Sequence, residues 1–337
     1  MSRRAAVSRI AIPLAGVLVL TGCSSGKQQA DSLQVVANPV AATAAPSPAV
    51  TAKPAGQVLA APAVSAMAAD AASHSLVVAF AQPPSLKIYD VGAAPAEKAT
   101  IALPGPAERL TTSPGQVLAS IPAKGLLARV ALPGGQLTTT PISGQPAAGV
   151  ADGAQTLVAV RDRKAIDVLA DGKVTKTITG DLYSADDVVA TGTGVVVLDR
   201  LRTALLSVDV GAGKLGAGLR AGEGAANAVA DDYGRVLVTD ARAGALLAFS
   251  ADPLLLRQRY PVPGGIYGIA YDGKRHLAWV TLTGRNEVVG FDVRGGEPVE
   301  KFRFPAVRQP DSVSVDDQDG RVFVGSAAGE GIQVIQP

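Results

Sequence analysis

The stretch AVADDYGRVLVTDARAGALLAF, residues 228–249, decides how the rest of the chain is read. Two short apolar runs, Val236–Thr239 and Ala245–Phe249, are separated by a few loop residues and preceded by an Asp- and Gly-bearing turn, which is the pattern of consecutive β-strands. The same unit recurs as MAADAASHSLVVAF (67–80), LTTSPGQVLASI (110–121), GVADGAQTLVAV (149–160), VVATGTGVVVL (188–198), IAYDGKRHLAWV (269–280) and VSVDDQDGRVFV (313–324). Its turn positions are Asp70, Ser113, Asp152, Thr191, Asp231, Asp272 and Asp316, spaced 43, 39, 39, 40, 41 and 44 residues apart. A period near forty built from short strands specifies a β-propeller, here of seven blades.

Each unit reads as four strands. Second strands include Leu76–Phe80 and Leu277–Thr281, third strands Leu86–Asp90, Ile166–Leu169 and Glu287–Asp292, and fourth strands the more polar Lys173–Ile178 and Val299–Phe304. No apolar stripe of helical period and length interrupts them. The last unit stops at GIQVIQP, after a third strand, which would leave a long unpaired edge. Residues 57–60 (QVLA) stand where an outer strand belongs, so the N-terminal strand is expected to complete the last blade and close the ring.

Ahead of the ring, Arg3, Arg4 and Arg9 precede an 11-residue apolar run, Ile10–Leu20, too short to span a bilayer and suited to a signal-peptide core. Leu20-Thr21-Gly22-Cys23 then resembles the bacterial lipoprotein lipobox. That resemblance implies removal of residues 1–22 and a diacylglyceryl group on Cys23, the chain's single cysteine. Acyl chains contribute about 0.8 kcal/mol per buried methylene, so the mature protein is expected to be anchored to the cell membrane on its extracytoplasmic side. Residues 23–55, rich in Ala, Pro, Ser and Thr, read as a disordered stalk, and residues 56–337 as the propeller domain.

Lys and Arg number 31 and Asp and Glu 29; without the leader the formal net charge goes from +2 to −1, so no field favours nucleic acid. Heavy use of Ala, Gly, Val and Arg fits a high-GC genome such as an actinobacterium's. WVTLTGRNEVVGFDVRGGEPVEKFRF (279–304) resembles the YVTN repeat of bacterial surface propellers, and residues 228–249 are similar to NHL-type repeats. Both resemblances imply the fold; their families include binding scaffolds, sensors and a minority of enzymes.

The mouth of a propeller's channel is built where the innermost strands begin. Residues five and four places before each turn position are Ser65/Ala66, Glu108/Arg109, Ala147/Ala148, Asp186/Asp187, Ala226/Asn227, Tyr267/Gly268 and Asp311/Ser312. Glu108, Asp186, Asp187, Asn227 and Asp311 form an oxygen-donor set of the kind a hard cation such as Ca²⁺ takes; no other cofactor is expected. Around them, the loops between second and third strands carry Lys124, Arg161, Arg163, Lys164, Arg200, Arg202, Arg242 and Arg285, with acids at Asp162, Asp199 and Asp240. These cations suit an anionic partner, because arginine offers bidentate contact to carboxylate or phosphate. For both rings the alternative is a solvated rim.

Catalytic signatures are sparse. The two histidines, His74 and His276, fall in turns on the opposite face, and the single tryptophan, Trp279, reads as a packing residue rather than a repeated quinone-docking motif. The expected function is therefore a non-catalytic binding or scaffold lipoprotein for an envelope protein, glycan or other anionic ligand. The alternative is a cation-dependent hydrolase resembling the gluconolactonase/regucalcin lactonases, whose typical six blades differ from the seven here; a sensory or redox-cofactor role is a third class.

Overall fold

The computed structural model describes residues 37–92, 95–113 and 115–337. The leader 1–22, Cys23 and the linker to residue 36 lie outside the described residues. Within them, 28 strands form seven four-stranded antiparallel sheets, six in simple consecutive order and the seventh composite. The inner strands, one per blade in chain order, are Val64–Asp70, Arg109–Ser113, Pro146–Asp152, Asp187–Ala190, Ala225–Ala230, Ile266–Asp272 and Pro310–Asp316. Each ends at or next to the turn position that set the repeat.

Local sequence explains the strand order within a blade. Second and third strands are continuous apolar runs because both faces are covered: Val195–Asp199 is buried throughout and Leu277–Leu282 likewise. Fourth strands such as Lys173–Thr179 and Val299–Pro305 are mostly exposed, as the polar residues along them require. Helix is confined, among the described residues, to two single turns, Ala71–Ser73 and Pro122–Lys124.

The core lies between blades. Leu86, Ile88 and Val77 of blade 1 pack with Val117, Ala128 and Val130 of blade 2, and the pattern repeats at each of the seven seams. At the seam of blades 6 and 7, fully buried Trp279 stacks on Phe302 at a centroid distance of 5.6 Å. Because every blade depends on two neighbours, an open ring would expose two apolar faces at about 25 cal/mol per Å².

Closure takes the expected form. Strand Gln57–Leu59 pairs antiparallel with Ile332–Ile335, with Val58 opposite Gln333, and completes blade 7. Buried Gln333 rivets this seam: its amide donates to the carbonyls of Ala55 (2.8 Å) and Pro305 (2.9 Å), and its oxygen accepts from the Val307 N–H (3.1 Å).

The linker departs from expectation. Composition makes residues 37–55 part of a disordered stalk, yet they run as an extended strap over the face that carries the channel mouth. Val40 and Ala42 lie at Arg242 and Arg200, Ala45 and Ser47 at Gln309, Pro48 at Asn286, and Ala55 at Pro305. The strap thus passes over blades 4 to 7 before joining the closing strand.

Candidate functional site

The mouth is made by a backbone device. In blades 1, 3, 5, 6 and 7 the pairing of the inner strand slips just after its first residue, at Ser65, Ala147, Ala226, Tyr267–Gly268 and Asp311. A bulge adds a residue and re-aims its side chain. In blades 2 and 4 the inner strand starts later, and Glu108 and Asp186 are held by single backbone bonds to Ser120 and Leu198. The residues so presented line a channel cavity of about 500 Å³, with Arg161 and Arg200 added from the surrounding loops.

Arg109 dominates this cavity. From blade 2 its guanidinium reaches the Asp187 carboxylate of blade 4 at 2.7 Å, the Asn227 side-chain oxygen of blade 5 at 3.4 Å and the Ala228 carbonyl at 3.0 Å. Asn227 in turn donates to the Tyr267 carbonyl at 3.1 Å, so a polar chain links blades 2, 4, 5 and 6. Burial pushes the Asp187 carboxyl up, opposed by the Arg109 charge. Arg109 stands at an inner-ring position given by the repeat, and as a cation it takes no place in an oxygen-donor set; its role as the hub of the acids shows only in the fold.

The other acids are engaged as well. Arg161 bridges Asp186 (3.0 Å) and Glu108 (3.1 Å); burial opposes its charge, and the two carboxylates outweigh burial and raise its pKa. Asp186 also accepts from Ser184 Oγ and from the Arg200 N–H. Asp311 accepts from Gln309 Nε2 at 2.7 Å, and burial raises its pKa. Glu108, Asp186, Asp187, Asn227 and Asp311 therefore share the cavity but are distributed among arginine and amide partners. Among the described residues no three of His, Cys, Asp and Glu are grouped to hold a metal ion.

The eight loop cations do not form one outward-facing set. Arg163 pairs with buried Asp167 at 2.8 Å. Arg202 is buried, pairs with Asp181 at 3.0 Å and lies over the Tyr183 ring. Arg200 and Arg242 donate to strap carbonyls, those of Ala42 and Val40. Lys124, Lys164 and Arg285 are exposed, and none forms an ion pair with a described residue. The loop acids are structural: Asp162, Asp199 and Asp240 accept backbone N–H groups of Gln145, Tyr183 and Gly224, tying each loop to the connection that precedes its blade.

The strap's grips lie on blades 4 to 7, and its edge also faces the loops of blades 2 and 3. There a second cavity of about 560 Å³ lies between strap residues Ala41 and Thr43 and the side chains of Glu108, Gln145, Arg161, Lys164 and Arg200. On the opposite face, His74 approaches Asp316 (3.7 Å) and His276 approaches Asp232 (3.8 Å), each across a blade seam.

No family model matches the sequence, and no curated protein matches it. The fold does match solved structures. A hydrazine synthase structure from Kuenenia stuttgartiensis superposes with a TM-score of 0.70 at 14% identity, over 85% of this chain and 99% of that one. Virginiamycin B lyase from Staphylococcus aureus gives 0.67 at 10% identity, over 82% and 97%. A streptogramin B lyase gives 0.68 at 11%, over 83% and 95%. At these identities the likeness establishes the seven-bladed propeller and nothing about chemistry.

Proposed function

We propose that the chain is an extracytoplasmic, lipid-anchored binding module that takes an anionic group of an envelope protein or glycan at the blade 2–3 side of the channel mouth. The observation that carries this reading is the disposition of charge there. Each mouth carboxylate already has an arginine or amide partner, whereas Lys164 stands exposed on the rim of the cavity with Arg161 and Arg200 on its wall, and Lys124 is exposed on the blade 2 loop of the same face. Arginine and lysine left in reach of solvent around a preformed cavity are suited to carboxylate or phosphate. A carboxylate already bound to arginine is a poor general base and a poor cation ligand, which favours binding over the hydrolase alternative.

The anchor rests on the lipobox resemblance. Cys23→Ala should abolish lipid attachment, read by mass spectrometry of the membrane fraction, while leaving the ring folded. Mature membrane-bound protein with an unmodified Cys23 would overturn the anchor.

For the binding site, the test is the full chain with Lys124→Ser and Lys164→Ser, the exposed cations of the blade 2 and blade 3 loops. These side chains are exposed, so the melting temperature should hold. Partners captured from envelope extracts by the native chain should be lost, and capture by the native chain should weaken with salt as screening shortens to about 8 Å at physiological ionic strength. Identical partners for both chains at every salt concentration would refute the reading.

A further inference from the structure

The strap reveals what the ring beneath it is able to hold. Four side chains grip it, and all four address main-chain oxygens: Arg242 the carbonyl of Val40, Arg200 that of Ala42, Gln309 that of Ala45 (3.2 Å) and Asn286 that of Pro48 (3.0 Å). Any extended peptide presents such oxygens. Side chains are read at three places. A carbon added at Gly224 would lie 3.0 Å from the methyl of buried Ala42, and one added at Gly265 would lie 2.9 Å from the methyl of half-buried Ala45, so at both seats a small strap side chain packs directly on a glycine. Ser47 Oγ donates to the Thr283 carbonyl (2.6 Å) and accepts from the Gln309 N–H (2.9 Å), and the Ser47 N–H donates to Gln309 Oε1 (3.0 Å).

From this geometry we propose that the groove across blades 4 to 7 is a peptide-binding site, occupied in cis by the strap. In trans it takes an extended Ala/Ser/Pro-rich segment of another protein, with small residues at the two seats and serine two places after the second. The ring does not depend on the strap for its core: within residues 38–50 only Ala42 is buried, and Val40 is 67% exposed. The contacts are those of a docked peptide, main-chain bonds for affinity and shallow pockets for specificity. A strap tethered this closely competes at an effective concentration near millimolar, so a partner segment enters when the strap is displaced. The groove shares Arg200 with the anionic cavity, but its peptide readout uses Gln309 and the Ala42 and Ala45 seats rather than Lys164, so the two proposals fail separately.

The test uses the full chain and a fluorescent peptide of residues 37–50, ANPVAATAAPSPAV. Ala42→Glu with Ala45→Glu should release the strap, since at each seat the alanine methyl packs directly on a glycine. The released protein should bind the peptide at least ten times more tightly than the native chain does. Adding Gln309→Ala should abolish that binding, and a peptide carrying glutamate at the Ala42 position should not bind. As a second route, a protease site placed at residues 53–55 of the otherwise native chain should let the cut strap exchange with the labelled peptide. A folded, released protein that does not bind the peptide, or a cut strap that never exchanges, would show the strap to be a fixed brace and overturn the proposal.

Discussion

Arg109 and Asp187, 78 residues apart in the chain, meet across the central channel at 2.7 Å. They come from blades 2 and 4, with blade 3 contributing Ala147 and, from its loop, Arg161 to the cavity. Arg109 thus ties blade 2 to the non-adjacent blades 4 and 5, whereas the apolar clusters join neighbours.

Removing one partner should therefore cost more than removing both. Arg109→Met leaves a buried carboxylate without its counter-charge and should destabilise the ring by about 3 kcal/mol. Adding Asp187→Asn should recover most of that loss. Chemical denaturation of the two single variants and the double variant gives the coupling directly, and additive effects would argue that the pair contributes nothing of its own.

Asp311 should carry a pH signature. Burial raises its folded-state pKa, so the folded protein holds this proton more tightly than the unfolded chain does. Stability from this group is present at low pH and falls as pH rises from the ordinary aspartate value through the raised one. Asp311→Asn keeps an oxygen for Gln309 Nε2 and removes the charge. The variant should gain on the native protein in melting temperature as pH increases from 4 to 7; a constant difference would contradict the assignment.

Closure should be separable from the strap and the linker. Deleting residues 24–50, the linker with most of the strap, should barely change the melting temperature, whereas deleting 24–62 also removes the strand paired to Ile332–Ile335 and should lower it by roughly 10 °C or more. Gln333→Leu tests the rivet by itself. It strands the Ala55 carbonyl and the Val307 N–H, leaves the Pro305 carbonyl only the Ala55 N–H, and should cost about 2–4 kcal/mol in denaturant unfolding.

Gly290 lies under the Trp279 ring, where an added methyl carbon would come within 2.9 Å of the indole. Gly290→Ala should cost about 1–3 kcal/mol by overpacking. As the sole tryptophan, Trp279 reports the damage in its own fluorescence: a red-shifted native emission is expected in the variant, and an unshifted spectrum with native stability would mean the seam yields freely.

How far the site was legible follows from where the information lies. The inner-ring positions could be counted back from the turns because bulges occur at the same place in five blades, so the repeat stays in phase. Which acid meets which arginine could not be counted, since Arg161 takes Glu108 and Asp186 from two different blades. The loop cations looked alike in sequence; depth separated buried Arg202 from exposed Lys124.

The sequence by itself determined the seven-fold ring, the order of strands in each blade and the closing strand. These depend on local alternation, turn chemistry and a forty-residue period, all written within a few dozen residues of one another. Only the tertiary structure decided the fate of residues 37–55. Their Ala, Pro and Ser side chains bury little, so composition alone reads as disorder; what orders the strap is a set of donors on distant blades, with Arg200 158 residues from Ala42 and Gln309 262 residues from Ser47. Hydrogen bonds to main-chain oxygens leave no mark on the sequence that accepts them, and the ring must close before its donors stand in line.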